Sequence, residues 1–183
     1  MPSYSHQAIK VFIEKDLAKY VLTSNHDNIH RKTGIPEKKM GELFGNAYIE
    51  ECLKCHTLYE RKTQVPTLGR YCEDEKCKGR LVRTGVRFGQ AVPEKAIKDC
   101  SKIAKECDLG IVIGSSMTVN PFCSFASTPK KYVIINLQET PYDQDCTLKI
   151  HAKCDDVMKE VMKALNLEIG TYEYKQVIFN SCF

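Results

Sequence analysis

Four of the ten cysteines are paired at spacings that suit metal binding. Cys52 and Cys55 are separated by two residues, and Cys72 and Cys77 by four, within a polar and lysine-rich stretch. Thiolates two residues apart can hold one Zn²⁺ in a tight turn, and a second pair completes a tetrahedron. Four unrelated thiols are the alternative; His56 could replace a ligand, but a fourth cysteine makes this unnecessary. Because a closed four-thiolate site leaves no position for water, the spacing predicts a structural zinc.

A polar cluster, Asn25, Asp27 and His30, directly follows the apolar run YVL. An amide and a carboxylate at such a position can orient sugar hydroxyls and stabilise positive charge that develops on a nearby carbon. A structural explanation remains open, because Asp27 could cap a helix and His30 could belong to a buried polar pair.

A third group of polar residues stands where apolar strands are predicted to end. Gly114, Ser115 and Ser116 follow LGIVI, and Asn136 follows YVII. Ligands usually bind at the carboxyl ends of strands in open α/β sheets, where glycine allows close backbone approach and hydroxyls donate to ribose or phosphate. Many buried strands end in Gly-Ser, so these residues alone predict a nucleotide site only weakly.

The elements that must position these residues are visible in the hydrophobic periodicity. Continuous apolar strands alternate with amphipathic helices, which predicts a parallel sheet covered on both faces. Helices are predicted over residues 4–19, 36–43, 93–107 and 153–166, and strands over 20–23, 47–51, 81–88, 109–113 and 132–136, with an irregular tail after Ile169. Residues 52–80 interrupt this alternation as a cysteine-bounded insert.

Size and composition agree with one globular domain that carries a small metal-bound insert. The 183 residues are 43% hydrophobic and 27% charged, and their net charge of +4 fits an acidic partner or a balanced surface equally well. Neither a membrane span nor a signal-peptide core is evident. We therefore expect an intracellular, reducing location, with the remaining cysteines as ordinary thiols: Cys100, Cys107, Cys123, Cys146, Cys154 and Cys182.

The chain resembles the sirtuins, the NAD-dependent protein-lysine deacylases. The resemblance rests on four features in order along the sequence: the polar cluster, the Gly45-Asn46 turn, the four cysteines and the two strand ends. The resemblance spans essentially the whole chain, and residues 136–158 are most like the class IV branch, especially its sirtuin-seven type. It implies a partial sirtuin-type deacetylase domain over residues 1–183, with the zinc-binding insert at 52–80. The implied fold is α/β: a Rossmann-like parallel sheet with helices on both faces, lacking its first strand, plus a zinc-ribbon insert.

The resemblance also assigns site residues. Asn25 and Asp27 would surround the nicotinamide ribose as catalytic residues, and Phe88 and Gly89, with the strand around Val119, would clamp an acyl-lysine peptide. An ordinary strand end is the alternative for Phe88-Gly89-Gln90, in which Gln90 replaces a family glutamate. The implied cofactor-binding residues are Ser24, Asn25, Asp27, Gly114, Ser115, Ser116, Asn136 and Cys154, the last of which would flank the adenine together with Asp155.

Several positions depart from the family pattern. Phe44 stands where the family has its catalytic histidine, and phenylalanine cannot accept a proton, so we expect a loss of about 10²–10⁴ in that step. Ser24 replaces a glutamine and shortens one ribose contact, while Asn28 replaces a glycine and can adopt its left-handed backbone. The family's first strand and G-A-G-x-S loop are not found in residues 1–183, so we expect unpaired strand edges and a weak or incomplete NAD site.

Two functions follow from these observations. The first is NAD-dependent removal of acyl groups from lysines of histones and other proteins, impaired by Phe44 and by the missing segment. The alternative is a catalytically inactive, zinc-stabilised module that binds acyl-lysine or chromatin. A decayed copy that does not fold independently is a third view. The resemblance implies a nuclear location and chromatin association, while the sequence contains no membrane segment and no motif for sequence-specific nucleic-acid binding.

Overall fold

The structure, a computed structural model, describes residues 1–65 and 69–170. The α-helices of this part are α1 (Tyr4–Glu14), α2 (Ile29–Lys32), α3 (Glu94–Glu106), α4 (Phe122–Ala126) and α5 (Cys154–Ala164), with a 3-10 turn at Glu37–Lys39. The strands are β1 (Val21–Thr23), β2 (Met40–Glu42), β3 (Ile49–Cys52), β4 (Leu58–Glu60), β5 (Leu81–Arg83), β6 (Gly110–Ile113), β7 (Tyr132–Ile135) and β8 (Leu148–Ile150). None of these helices has the length and apolarity needed for a membrane span.

The central sheet is parallel, in the order β6-β7-β8, and is covered on both faces. Successive residues of a strand point to opposite faces, and the buried pair Ile134 and Ile135 of β7 does so here. Ile134 packs in a cluster with residues of α3 and α4, whereas Ile135 packs in a separate cluster with α1 and α5. This arrangement confirms the predicted parallel sheet with helices on both faces.

A second parallel pair, β1-β2, lies beside this core. Val21 and Met40 pack against Ile13 of α1. Leu43, which directly follows β2, is buried with Val112 of β6. The loops that follow β1 and β2 are therefore fixed to the same core as the end of β6.

The third sheet is antiparallel, in the order β4-β3-β5; β4 lies inside the insert, and β3 and β5 are the strands that lead into and out of it. β3 is the middle strand, and Cys52 lies at its end, paired with Leu81 of β5. Cys52, Cys72, Cys77 and Leu81 form a small buried cluster of their own. The insert is thus organised around its cysteines rather than around a large apolar core.

The N-terminal ends of α1 and α5 are joined by one carboxylate. Asp155 accepts hydrogen bonds from the backbone N–H and the hydroxyl of Ser5, at 2.9 and 2.6 Å, and from the hydroxyl of Ser3 at 3.0 Å. Burial alone would raise the pKa of Asp155, but these hydrogen bonds outweigh it, so the pKa lies below its usual value. The start of α1 is therefore held against the start of α5 by hydrogen bonds to an ionised carboxylate.

Some predicted boundaries are wrong. The helix predicted over 36–43 is a 3-10 turn followed by β2, because Met40–Glu42 pairs with β1. The helix predicted over 4–19 ends at Glu14, where Asp16 adopts a left-handed backbone with φ of 57°. The strand predicted over 81–88 ends at Arg83, and the three-residue strands β4 and β8 were not predicted. The predicted irregular tail, from Thr171 onward, lies outside the described residues.

Candidate functional site

The four predicted metal ligands lie together at one end of the insert. The sulfur atoms of Cys52 and Cys77 are 3.6 Å apart and those of Cys55 and Cys72 are 3.7 Å apart, and all four lie within 4.8 Å of one another. A tetrahedral zinc with Zn–S bonds of about 2.3 Å requires sulfur–sulfur distances of about 3.8 Å. These distances therefore fit one Zn²⁺ and are far longer than the bond of a disulfide.

The surroundings of the thiols explain how the chain brings them so close. A Cβ atom at Gly79 would lie 2.5 Å from the sulfur of Cys52, so only glycine allows this approach. Tyr59 contacts the Cys72 sulfur through its hydroxyl at 3.0 Å. His56 is turned toward Glu51, 2.8 Å away, rather than toward the thiols. The four cysteines can therefore hold one metal ion together, and the ring of His56 is turned away from them.

The loop after β1 carries Asn25 and Asp27. The backbone N–H of Asn25 donates to the hydroxyl of Thr23 at 3.1 Å, and Asp27 accepts from the backbone N–H of Ile29 at 3.0 Å. Asp27 thus forms a local turn just before α2, whose N-cap is Asn28 without a side-chain capping bond, so the capping role that the sequence left open for Asp27 is not the one observed. One of its carboxylate oxygens forms this contact, and a role in ligand binding for the other is compatible with it.

His30 is turned into the fold. Its ring lies 4.8 Å from that of His6, and burial, with a smaller contribution from His6, lowers the pKa of His30 to about 4. Among the described residues its Nδ1 has no hydrogen-bond partner although it is buried. His30 is therefore neutral at pH 7 and belongs to the interior rather than to the site.

A buried hydrogen-bond network, which we did not predict, fixes the loops of the site to each other. Asn46 is fully buried, and its amide donates to Asn28 at 2.7 Å and to Glu42 at 2.5 Å. Asn28 has a left-handed backbone with φ of 64°, and its amide donates in turn to Glu60 of β4. Glu42 also pairs with Arg31 at 2.7 Å. One network thus joins the loop after β1, the turn after β2 and the insert.

Phe44 precedes the turn that this network holds. Gly45 has φ of 70°, and a Cβ atom there would lie 2.0 Å from the carbonyl oxygen of Thr84, so this position requires glycine. The carbonyl of Phe44 accepts from the backbone N–H of Val86 at 2.8 Å. The backbone of Phe44 and Gly45 therefore lies against residues 84–86, the segment that leads to Phe88.

A cavity of about 450 Å³ opens beside Phe44. The predicted peptide-binding residues Phe88, Gly89 and Val119 all line it, and so does His26 from the loop after β1. The Phe88 side chain is almost fully exposed at this cavity. The structure thus brings together the three predicted substrate contacts and the position that the sequence singled out as the general-base position.

The predicted adenosine-side residues converge at the ends of β6 and β7. Asn136 donates from its amide to the carbonyl of Ser115 at 2.7 Å, and Gly114 has φ of 66°. A Cβ atom at Gly114 would meet only the sulfur of Cys154, at 3.4 Å, so Gly114 lies against the start of α5. Ser116 follows in the same loop, with its hydroxyl 2.8 Å from that of Thr118.

This arrangement has the features that a nucleotide site needs. The loop after β6 exposes Gly114 and Ser116 while Asn136 holds its shape from the neighbouring strand. Ligands of open α/β sheets bind at such strand ends, close to the start of a helix. The residues present therefore fit the adenosine half of a dinucleotide. Ser24, Asn25 and Asp27 form the second predicted group, after β1.

Comparisons with known proteins agree with this geometry. Residues 1–121 match the Sir2 family. The chain is 35% identical to an NAD-dependent protein deacetylase SRT1 of Arabidopsis thaliana over 94% of its own length, and 35% identical to the NAD-dependent protein deacetylase sirtuin-7 of Bos taurus over 93%. It spans 38% of the plant protein and 47% of the bovine one. A solved structure described as "Sir2 bound to acetylated peptide" matches with a TM-score of 0.73 at 28% identity, over 91% of this chain and 72% of that one.

Proposed function

Since the chain belongs to the Sir2 family, we propose that it is an NAD-dependent protein-lysine deacylase of the histone deacetylase type whose turnover is limited by Phe44. The observation that carries this proposal is the cavity of about 450 Å³ that joins Phe44 to Phe88, Gly89 and Val119. An acyl-lysine side chain is narrow and mostly apolar, and a cavity with an aromatic wall and a neighbouring extended segment suits it.

The residues of this chain would hold NAD in two groups. The adenosine half would bind at the ends of β6 and β7, against Gly114, Ser115, Ser116, Asn136 and Cys154. Ser24, Asn25 and Asp27 would face the nicotinamide ribose, where the carboxylate stabilises positive charge at the reacting carbon. When bound, NAD supplies the ribose that receives the acyl group, and nicotinamide leaves. Phe44 excludes water from this space but holds no proton.

Zinc has a structural role in this proposal. Four cysteine thiolates fill the coordination sphere and leave no position for water or substrate. Residues 52–80 form the zinc-binding insert of a partial sirtuin-type domain that covers residues 1–183. The insert supports the site through the contact between Asn28 and Glu60 of β4.

The substrate we propose is an acyl-lysine in a protein, with histones as the first candidates and the nucleus as the location. The resemblance to sirtuin-7 supports this assignment. Direct reading of a nucleic-acid sequence is not part of the proposal.

The experiment is a binding and turnover assay with a peptide that carries one acetyl-lysine. We expect the chain to bind this peptide more tightly than the same peptide with an unmodified lysine and, with NAD, to release nicotinamide and deacetylated peptide slowly. Val119→Trp, which fills the cavity, should abolish the preference. Leu148→Trp, which places the same side chain at an exposed position of β8, is the matched control.

Equal binding of both peptides by the unaltered chain would contradict the proposal. Selective binding of the acetylated peptide without any nicotinamide release would favour the inactive binding module instead.

A further inference from the structure

His26 lines the same cavity as Phe44, from the opposite loop. The two ring centroids are 6.2 Å apart and the rings are tilted by 31°. The carbonyl of His26 accepts from the backbone N–H of Ala47 at 3.0 Å, so its loop is fixed to the turn that carries Phe44. Within the described part of the chain, the His26 ring forms no hydrogen bond or ion pair, which leaves its nitrogens available to a ligand.

His26 is the one histidine among the described residues that line the cavity. The other ionisable side chains of the cavity are Arg83 and Arg87. A guanidinium stays protonated in proteins and cannot act as a base, whereas imidazole is the side chain suited to accept a proton near pH 7. A substrate hydroxyl in this cavity therefore meets one imidazole among the described lining residues, that of His26, and none at position 44.

We propose that His26 is the general base that acts in place of Phe44; this rests on the proposed deacylase function. His26 would take the proton of a ribose hydroxyl on a ring nitrogen, so that the hydroxyl oxygen could bond to the acyl carbon, and would return that proton to the lysine nitrogen as its bond to the acyl carbon breaks. In the balanced reaction the acyl oxygen replaces nicotinamide on the ribose carbon, and one water supplies the new carbonyl oxygen of the acyl group, which passes from lysine to the ribose hydroxyl.

The separation of the two rings is compatible with this exchange. A general base acts over one hydrogen bond or through one water, and two hydrogen bonds in series span about 5.6 Å. Since the ring centroids of His26 and Phe44 are 6.2 Å apart, His26 reaches the space in front of Phe44 by one of these routes. A base displaced in this way is less well aligned than one at position 44, which explains why turnover should be slow rather than absent.

The first test measures whether a bound peptide covers His26, and it does not depend on turnover. Diethyl pyrocarbonate modifies accessible imidazoles, and mass spectrometry locates the modified residue. We expect an acetyl-lysine peptide to slow the modification of His26 but not that of His56, which is exposed on the insert, and the unacetylated peptide to protect neither. Modification of His26 at the same rate with and without the acetylated peptide would overturn the proposal.

The second test separates the two halves of the reaction. In His26→Gln we expect deacetylation to fall by about 10²-fold while nicotinamide release continues, because only the second half needs the base. Adding Phe44→His to this variant should restore deacetylation, and His56→Gln should change neither rate. An unchanged deacetylation rate in His26→Gln refutes the role of His26 alone. Absence of nicotinamide release from the unaltered chain would refute the deacylase function, and the role of His26 with it.

Discussion

Because the pKa of His30 is lowered by burial, the free energy of unfolding should depend on pH between about 6.5 and 4. This pKa is about 4 in the folded chain, chiefly because of burial, against a usual value of 6.5. As the pH falls, the unfolded state therefore binds this proton first. The stabilisation is fully present above about pH 6.5 and is lost as the pH falls toward 4.

The magnitude follows from the two pKa values. For a single group that shifts from about 6.5 to about 4, the free energy of unfolding falls by about 1.3 kcal/mol between pH 7.5 and pH 5.5. His6 contributes in the same direction, since burial also lowers its pKa. A loss of this size is a measurable fraction of the stability of an ordinary domain.

The assay is urea unfolding at both pH values, compared between the unaltered chain and His30→Asn. Asparagine does not titrate, so the variant should lose about 1.3 kcal/mol less between pH 7.5 and pH 5.5. Protonation of the zinc thiolates affects both proteins and cancels in the comparison. Equal losses in the two proteins would show that burial does not hold His30 neutral, and this reasoning would then be wrong.

Three further predictions concern the insert and the site. Cys72→Ser should release zinc and unfold the insert, because metal binding and local folding are one equilibrium. Cys107→Ser, outside the cluster, should do neither. A full zinc content of Cys72→Ser in metal analysis would contradict the assignment. Asn28→Gly keeps the left-handed backbone but removes one buried and one partly buried hydrogen bond, so it should lower the free energy of unfolding by about 1–3 kcal/mol. Asn28→Asp keeps only the acceptor and should not recover this loss. Unchanged urea midpoints would argue against the network. Phe44→His should raise acetyl-lysine turnover by about 10²-fold with little change in peptide affinity, and equal rates would mean that position 44 lies away from the reacting atoms.

The sequence predicted the parts of this fold that depend on local pattern. The continuous apolar runs around Val112 and Ile134 indicated buried parallel strands, and both lie in the sheet that helices cover on two faces. The spacing of the cysteine pairs indicated one site, and their sulfur atoms converge as expected. In these cases the residues that determine the structure are close together in the chain or share one periodicity.

The parts that could not be predicted depend on partners far away in sequence. Residues 40–42 carry no strong strand pattern, and they form β2 because β1 offers an edge to pair with. The contact between Asn28 and Glu60 joins residues 32 positions apart, and nothing in either local pattern indicates it. The proximity of His26 to Phe44 likewise arises only once the loops after β1 and β2 are packed side by side.

Asn28 links the insert to the loops of the site through its side-chain amide. A glycine at this position could adopt the same backbone, but it could neither accept from Asn46 nor donate to Glu60. The fold of β4 depends on its pairing with β3, which ends at the zinc ligand Cys52. Loss of zinc should therefore loosen Glu60 and, through Asn28, the loop that carries His26. Because Asn46 belongs to the same network, the turn that carries Phe44 would be released as well. The insert thus contacts both sides of the cavity. It reaches the loop of His26 through Asn28, and the turn after Phe44 through Asn46 and through the carbonyl of Ala47, which accepts from the backbone N–H of Val65 at 2.8 Å.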